Sequence, residues 1–279
     1  MPLDQDTAPQ VEEIRVRLLR TAPPWQKLSA LVQLSRMVRQ LFREGWSARL
    51  SRTSPSGTAR PLSELLWGAE SARHIPLTLE TVSMSDELWP AILRVIEVLE
   101  ALQVPYFISG SMASAVHGVP RSTMDADLVA DLQVEHVNRF VQALQEDFYV
   151  DESMIIDAIH RRTSFNLIHL PSIFKIDIFL PKERPFDRSR MQRRIRVRLM
   201  VRPEREAFFS AAEDIILSKL EWFRQGGEIS EQQWRDVLGI LRVQGEDLDR
   251  EYLQRWAVEL GVADLLVRAW REAGLSFNR

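Results

Sequence analysis

The sequence predicts an α+β fold, in which a mixed sheet with flanking helices lies between an N-terminal helical module and a C-terminal helical extension. In the middle of the chain, short apolar or alternating segments alternate with amphipathic stretches. Near the N-terminus, leucines recur at helical spacing, as at Leu28, Leu31 and Leu34. Residues 211–273 carry only helical patterns. We therefore expect three parts: residues 1–85, 86–205 and 206–279.

The composition of the 279-residue chain is that of an ordinary globular protein, with 45% apolar and 27% charged residues. A net charge of −3 gives no global signal for nucleic-acid binding. We expect a cytoplasmic protein without a membrane span, because no apolar run is long enough and the N-terminus is acidic and polar. The absence of cysteine excludes disulfides, thiolate zinc sites and cysteine nucleophiles.

The N-terminal part is predicted to be helical, because apolar residues recur every three or four positions. A stretch rich in serine, proline and glycine at 51–61 reads as a loop, and Pro76 marks a linker at 74–85. The predicted helices of this part are 11–20, 25–50 and 62–72, and a further predicted helix at 86–103 begins the middle part.

The middle part is predicted to supply the sheet. The predicted strands are 104–109, a strand containing Asp125 and Asp127, 163–169, 173–180 and 195–201. Between them the pattern predicts helices at 112–117, 134–148 and 153–161. The C-terminal extension is predicted to contain helices at 211–225, 230–243, 248–260 and 262–273.

Gly110 and Ser111 stand where the first predicted strand gives way to a helix. Backbone N–H groups at a helix start can bind an anion such as phosphate, and the helix dipole assists them. Glycine permits close approach of the backbone, and serine can donate a hydrogen bond. Taken alone, a Gly-Ser pair before a helix is ordinarily only a helix cap.

Three aspartates are predicted to converge on one face of the sheet. Asp125 and Asp127 alternate with apolar neighbours, so strand periodicity puts both carboxylates on the same face. Asp177 alternates in the same way between Ile176 and Ile178 on a later strand. Three convergent carboxylates repel one another, and Mg²⁺ with substrate phosphates would relieve the repulsion. Although Asp-x-Asp alone is usually a solvated strand face, the order of these features favours a functional site.

This order of motifs resembles the polymerase-β-type nucleotidyltransferase superfamily, and most closely its bacterial AbiEii-like and minimal MNT-type members. The resemblance covers about residues 88–245. It assigns Gly110 and Ser111 to the first motif, with Asp125 and Asp127 as its acidic pair and Asp177 as the third carboxylate. Arg121 and Thr123 are similar to the Arg-x-Thr that precedes the acidic pair in the family.

Two helical blocks, 213–222 and 233–238, resemble the helical motifs of the AbiEii-like enzymes. By this resemblance Lys219 contacts nucleotide phosphates, and Arg235 with Asp236 lies at the rim of the site. The chain departs from the AbiEii pattern at 239–241, where Gly-Ile-Leu replaces a further aspartate.

The resemblance implies transfer of a nucleotidyl group from a nucleoside triphosphate to an acceptor hydroxyl with two Mg²⁺ ions held by the three aspartates. It leaves open whether the acceptor is an RNA, a protein or a small molecule, and suggests a toxin–antitoxin context. Two alternatives stay open: a catalytically silent nucleotide-binding protein on the same fold, and an interaction module whose residues 1–85 recruit a protein partner.

Arg194, Arg196 and Arg198 alternate with apolar residues, which predicts a strand with one arginine face. Such a face could be a track for RNA or another polyanion. It could also be a charged sheet edge that prevents edge-to-edge pairing, and this is the interpretation that we favour.

Overall fold

The structure, a computed structural model, describes residues 9–50, 88–199 and 204–275. The predicted loop, third helix and linker between residues 51 and 85 lie outside the described residues. The first three described helices are α1 (Pro9–Thr21), α2 (Pro24–Leu50) and α3 (Leu88–Ala101). All three lie close to the predicted bounds.

Within the described residues, seven strands form one mixed sheet, which confirms the predicted α+β class. The strands are β1 (Tyr106–Ile108), β2 (Asp125–Ala130), β3 (Phe148–Tyr149), β4 (Ser164–His169), β5 (Phe174–Phe179), β6 (Ile195–Leu199) and β7 (Arg205–Phe209). Their order is β3-β4-β5-β2-β1-β7-β6. The β2–β5 and β1–β7 pairs are parallel, and the other four are antiparallel.

The two central strands β2 and β5 are two-faced. Asp127 is in register with Asp177, while Ala126 and Leu128 point to the opposite face, where both are fully buried. The predicted alternation along both strands is therefore confirmed.

The remaining helices of the described ranges connect and cover this sheet. They are α4 (Gly110–His117), α5 (Val134–Leu144), α6 (Glu152–Arg161), α7 (Pro185–Arg193), α8 (Ala212–Gln225), α9 (Glu231–Gln244), α10 (Arg250–Glu259) and α11 (Ala263–Glu272). Helices α8 and α9 both pack on α4, which brings the C-terminal segment to the end of the sheet where β2 begins.

The structure differs from the predicted elements at three places. The helix predicted at 134–148 ends at Leu144, because Phe148 pairs with His169 as part of β3. Helix α7 was not predicted, although a proline at its first position is a helix-start signal. Strand β7 was also not predicted, and it extends the sheet to Phe209 by pairing with β1.

Helix α2 belongs to the same hydrophobic core as the sheet. Leu28 and Leu31 are buried in one continuous cluster that includes sheet residues and the C-terminal helices. The helix lies at the end of the sheet where β2 and β5 begin, since it contacts Thr123 just before β2 and Phe174 at the start of β5. Within the described ranges, no helix has the length and apolar character needed to cross a membrane.

Candidate functional site

The site is built around the contact between Gly110 and Asp127. Gly110 opens α4 with a φ of +55°, and a Cβ built on it would lie 1.7 Å from Oδ2 of Asp127. The backbones on either side of this contact are also hydrogen-bonded, because the Ser109 N–H donates to the Asp127 carbonyl at 2.8 Å. A side chain at position 110 is therefore excluded twice, by the left-handed backbone and by the aspartate against it. The same contact holds the Asp127 carboxylate at the start of α4.

The three predicted carboxylates share one face of the sheet. Asp125 and Asp127 project from β2, and Asp177 projects from the register position beside Asp127 on β5. Burial, together with the nearby charges of Asp125 and Asp177, raises the pKa of Asp127 to about 6. Burial also raises the pKa of Asp177. The electrostatics are those of a crowded acidic site, in which a bound cation would be stabilised.

Thr123 connects Ser111 to Asp125. The Ser111 hydroxyl donates to Oγ1 of Thr123 at 2.8 Å, and Oγ1 of Thr123 lies 3.0 Å from Oδ1 of Asp125. Ser111 is buried, so its hydroxyl is engaged within the protein. What remains of the predicted phosphate turn is the backbone at the start of α4, whose first N–H groups have no acceptor inside the helix.

Lys219 and Asp236, which are buried, form an ionic cluster with the partly exposed Arg121 that joins α8, α9 and the loop before β2. Nζ of Lys219 lies 2.8 Å from Oδ2 of Asp236, and Arg121 binds the same carboxylate through Nε and Nη2 at 2.9 and 3.0 Å. Burial alone would raise the pKa of Asp236, but hydrogen bonds from Arg121 and the charge of Lys219 lower it below its ordinary value. Lys219 is only 5% exposed, although a lysine ordinarily lies at the surface.

Lys175 is the cation of the acidic face. Its Nζ lies 2.7 Å from Oδ2 of Asp177, and its Cα is in register with that of Asp125. Within the described part of the chain, no three His, Asp or Glu side chains are arranged to hold a metal ion together. The donor chemistry still fits a divalent cation, because hard carboxylate oxygens converge on Asp127 and their repulsion raises its pKa.

A cavity of about 450 Å³ opens beside Asp127. Gly110 and Lys219 line it, together with Phe179 and Trp222, whose rings meet edge to face at 5.9 Å. Trp222 is 54% exposed. An exposed aromatic ring at the edge of this cavity offers an apolar face on which a planar ring could pack.

Arg196 and Arg198 of β6, and Arg194 just before it, contact neighbouring side chains. Arg196 and Arg198 lie 3.9 and 2.9 Å from Glu206 and Glu204. The guanidinium of Arg194 lies over the ring of Phe208 at 4.6 Å. Among the described strands, β6 lies at one edge of the sheet. These contacts favour the interpretation of a charged edge over that of a polyanion track.

The eight residues singled out from the sequence are joined in one connected region. Asp127, Gly110 and Lys219 line the cavity. Asp125 and Asp177 act on Asp127 through their charges, Ser111 reaches Asp125 through Thr123, and Arg121 and Asp236 bind around Lys219.

Sequence reasoning assigned no role to Lys175 and Trp222. Strand periodicity could have found Lys175, two residues before Asp177 on the same face. Helical spacing could have found Trp222, three residues after Lys219.

No protein-family model and no curated protein matches the chain. Three solved structures are similar to parts of it. An antigenic nucleotidyltransferase-like protein from Paracoccidioides brasiliensis is 20% identical with a TM-score of 0.38, over 64% of this chain and 92% of that one. The lincomycin-bound lincosamide antibiotic adenylyltransferase LnuA is 15% identical with a TM-score of 0.35, over 55% of this chain and 96% of that one.

The third structure is the CdnE cyclic dinucleotide synthase of Elizabethkingia meningoseptica with GTP and Apcpp. It is 12% identical with a TM-score of 0.27, over 68% of each chain. At such identities and TM-scores these similarities do not decide the function of this chain, which depends on the residues of its own site.

Proposed function

We propose that this chain is a nucleotidyltransferase, which moves a nucleoside monophosphate from a nucleoside triphosphate to an acceptor hydroxyl. One observation carries the proposal: Asp127 is packed on Gly110 at the start of α4, with Asp125 and Asp177 on the same sheet face and Lys219 across the cavity. A phosphate-binding helix start beside convergent carboxylates is the equipment that nucleotidyl transfer requires.

Asp125, Asp127 and Asp177 are the residues that would hold Mg²⁺, in a two-ion arrangement completed by the triphosphate. Bound Mg²⁺ would neutralise the leaving phosphates and make the acceptor hydroxyl more acidic. The backbone at Gly110 and Ser111 binds phosphate oxygens. Lys219 and Arg121, which both pair with Asp236, supply positive charge from the side of helices α8 and α9. Trp222 and Phe179 form the apolar end of the cavity, where the nucleobase packs.

The chemical step forms a bond from the acceptor oxygen to the α-phosphorus and breaks the bond between the α- and β-phosphates, releasing pyrophosphate. The acceptor proton passes to Asp177, because burial raises the pKa of this carboxyl. The reaction requires a compartment that supplies nucleoside triphosphates and Mg²⁺, in agreement with the expected cytoplasmic location.

Labelled nucleotides test this proposal. The purified chain is incubated with Mg²⁺, cell extract and each nucleoside triphosphate in turn, labelled at either the α- or the γ-phosphate. Transfer predicts that an α-label enters an acceptor while a γ-label leaves as pyrophosphate. Labelling of an RNA or of a protein would then identify the acceptor class. Incorporation of neither label with any of the four nucleotides would overturn the proposal.

The Lys175–Asp177 ion pair favours a second candidate, a catalytically silent nucleotide-binding protein. With Asp177 engaged by a lysine at 2.7 Å, the site can bind a triphosphate through α4 and Lys219 without completing the carboxylate set. Equilibrium dialysis with a labelled triphosphate separates the candidates, since the silent protein binds nucleotide and returns it unchanged. A toxin–antitoxin role, suggested by the AbiEii resemblance, predicts in addition a neighbouring antitoxin that co-purifies with the chain.

A further inference from the structure

A buried hydrogen-bond chain links the N-terminal helix α2 to the acidic pair. Thr123 is 5% exposed and lies in the loop between α4 and β2. Its backbone N–H donates to Oγ of Ser35 on α2 at 2.8 Å. Its own hydroxyl lies 3.0 Å from Oδ1 of Asp125. Thr123 therefore stands between a residue of α2 and a proposed metal-binding carboxylate.

Ser35 is placed to accept a hydrogen bond from this amide. It is fully buried, and its hydroxyl donates to the Leu31 carbonyl at 2.8 Å, which leaves the lone pairs of Oγ for Thr123. Alanine at this position would leave the Thr123 N–H buried without its acceptor. Threonine can make the same bond to the carbonyl four residues earlier and keep the acceptor oxygen.

Helix α2 is fixed against both strands that carry the carboxylates. Leu28 and Leu31 anchor it in the core. Its Arg39 guanidinium lies over the ring of Phe174 at 5.9 Å, and Phe174 is the first residue of β5, which bears Asp177. The contact to Thr123 and the contact to Phe174 thus both lie at the beginning of these strands.

We infer that Ser35 is a positioning residue of the site, which fixes the Asp125 carboxylate through the backbone and hydroxyl of Thr123. Because the direction of the Thr123 hydroxyl depends on the position of its backbone, the helix sets the orientation of a carboxylate ninety residues further along the chain. The N-terminal helical segment is then part of the transfer apparatus. The inference rests on the proposed function, since it assigns Asp125 a role in metal binding.

The test compares Ser35→Ala with Ser35→Thr in the full-length chain. Hydrogen exchange of the segment containing Thr123 reports the contact itself, and titration with Mn²⁺ alone reports the metal site. Leu266→Ala is the control, because Leu266 is 1% exposed in α11 and its loss destabilises the protein without touching the loop. Ser35→Ala is expected to speed exchange at Thr123 and to weaken Mn²⁺ binding by about tenfold, at the lower end for loss of a residue that orients a metal ligand.

Ser35→Thr is expected to restore both readouts, and Leu266→Ala to leave Mn²⁺ affinity unchanged despite its lower stability. Unchanged exchange in Ser35→Ala would overturn the contact. Faster exchange with unchanged Mn²⁺ affinity would overturn the positioning role while leaving nucleotidyl transfer intact. A wild type that shows the protected Thr123 amide but neither binds Mn²⁺ nor transfers a nucleotide would refute the proposed function, and the inference with it.

Discussion

Asp127 is the residue on which the local physics of the site converges. Its carboxylate occupies the space that a side chain at position 110 would fill. The charges of Asp125, Asp177 and Lys219 all act on it. Burial and the charges of Asp125 and Asp177 carry a cost to folding that an ordinary surface aspartate would avoid, and the charge of Lys219 offsets part of it. Such a concentration of unfavourable charge and backbone conformation is typical of a functional site.

Gly110→Ala should expel Asp127 and abolish transfer, because the new Cβ would stand 1.7 Å from Oδ2. Gly261→Ala is its matched control: its φ is +68°, but no atom lies within 4 Å of the new Cβ. Both variants should lose about 1–2 kcal/mol from the left-handed backbone. Urea unfolding and transfer assays check the pair, and equal activity of the two variants would refute the role of the Gly110–Asp127 contact.

Asp127→Asn should stabilise the metal-free protein at neutral pH. The pKa of Asp127 is about 6 in the folded chain against an ordinary 3.8, so the folded state binds this proton more tightly than the unfolded state. Ionisation of Asp127 therefore lowers the free energy of unfolding as the pH rises from about 4 to 6. The variant lacks this cost, which predicts a gain of about 1–3 kcal/mol at pH 7.

The gain should disappear near pH 4, because Asp127 of the folded wild type is then protonated and, like asparagine, carries no charge. Urea unfolding in EDTA across this pH range measures it. The pKa of His117, lowered by burial to about 4, adds a pH dependence of the opposite sign. Since that contribution is common to both proteins, the difference between them isolates Asp127. A variant less stable than wild type at pH 7 would contradict the prediction.

At the scale of elements, the site depends on how helices α8 and α9 meet the sheet. Lys219 on α8 and Asp236 on α9 pair across the two helices, and Arg121 joins them to the loop before β2. Periodicity within one helix predicted that Lys219 lies at the border of a buried face. It could not predict that the side chain is buried, because the carboxylate that neutralises it belongs to another helix.

Lys219→Met should lower both stability and the affinity for nucleoside triphosphate. The methionine keeps most of the buried volume, while Asp236 retains its two hydrogen bonds from Arg121. The expected loss is therefore about 1–3 kcal/mol, as for a buried hydrogen-bonded group that loses one partner. The exposed Lys182→Met is the control for stability in urea unfolding. A Lys219→Met protein as stable as wild type would show that the ion pair contributes nothing to folding.

Replacing Arg194, Arg196 and Arg198 by glutamine should leave RNA binding and its salt dependence unchanged. Two of these arginines are paired with glutamates of the neighbouring strand region, and the third lies over an aromatic ring. If they contacted phosphates, each lost contact would lower the salt slope by about 0.7–0.9. Binding of a labelled RNA over a series of salt concentrations measures the slope. A slope reduced by two or three such increments would restore the polyanion track.

At the scale of the whole molecule, helix α2, the sheet and the C-terminal helices share one hydrophobic core. Strand and helix periodicity predicted most elements and placed Asp125, Asp127 and Asp177 on one face, because these features depend on neighbours in sequence. The Gly110–Asp127 contact, the burial of Lys219 and the Ser35–Thr123 bond depend on segments distant in sequence. Short or atypical elements were also missed, such as β3, which is defined only by its pairing with β4.

The most direct test of nucleotidyl transfer by this site compares four proteins in one assay. Wild type, Asp127→Asn, Gly110→Ala and Gly261→Ala are each incubated with an α-labelled nucleoside triphosphate, Mg²⁺ and cell extract, and pyrophosphate release is measured beside acceptor labelling. The expected result is stoichiometric labelling and pyrophosphate release by wild type and Gly261→Ala, and neither by the other two. Wild-type rates in Asp127→Asn would contradict the assignment of transfer to this site.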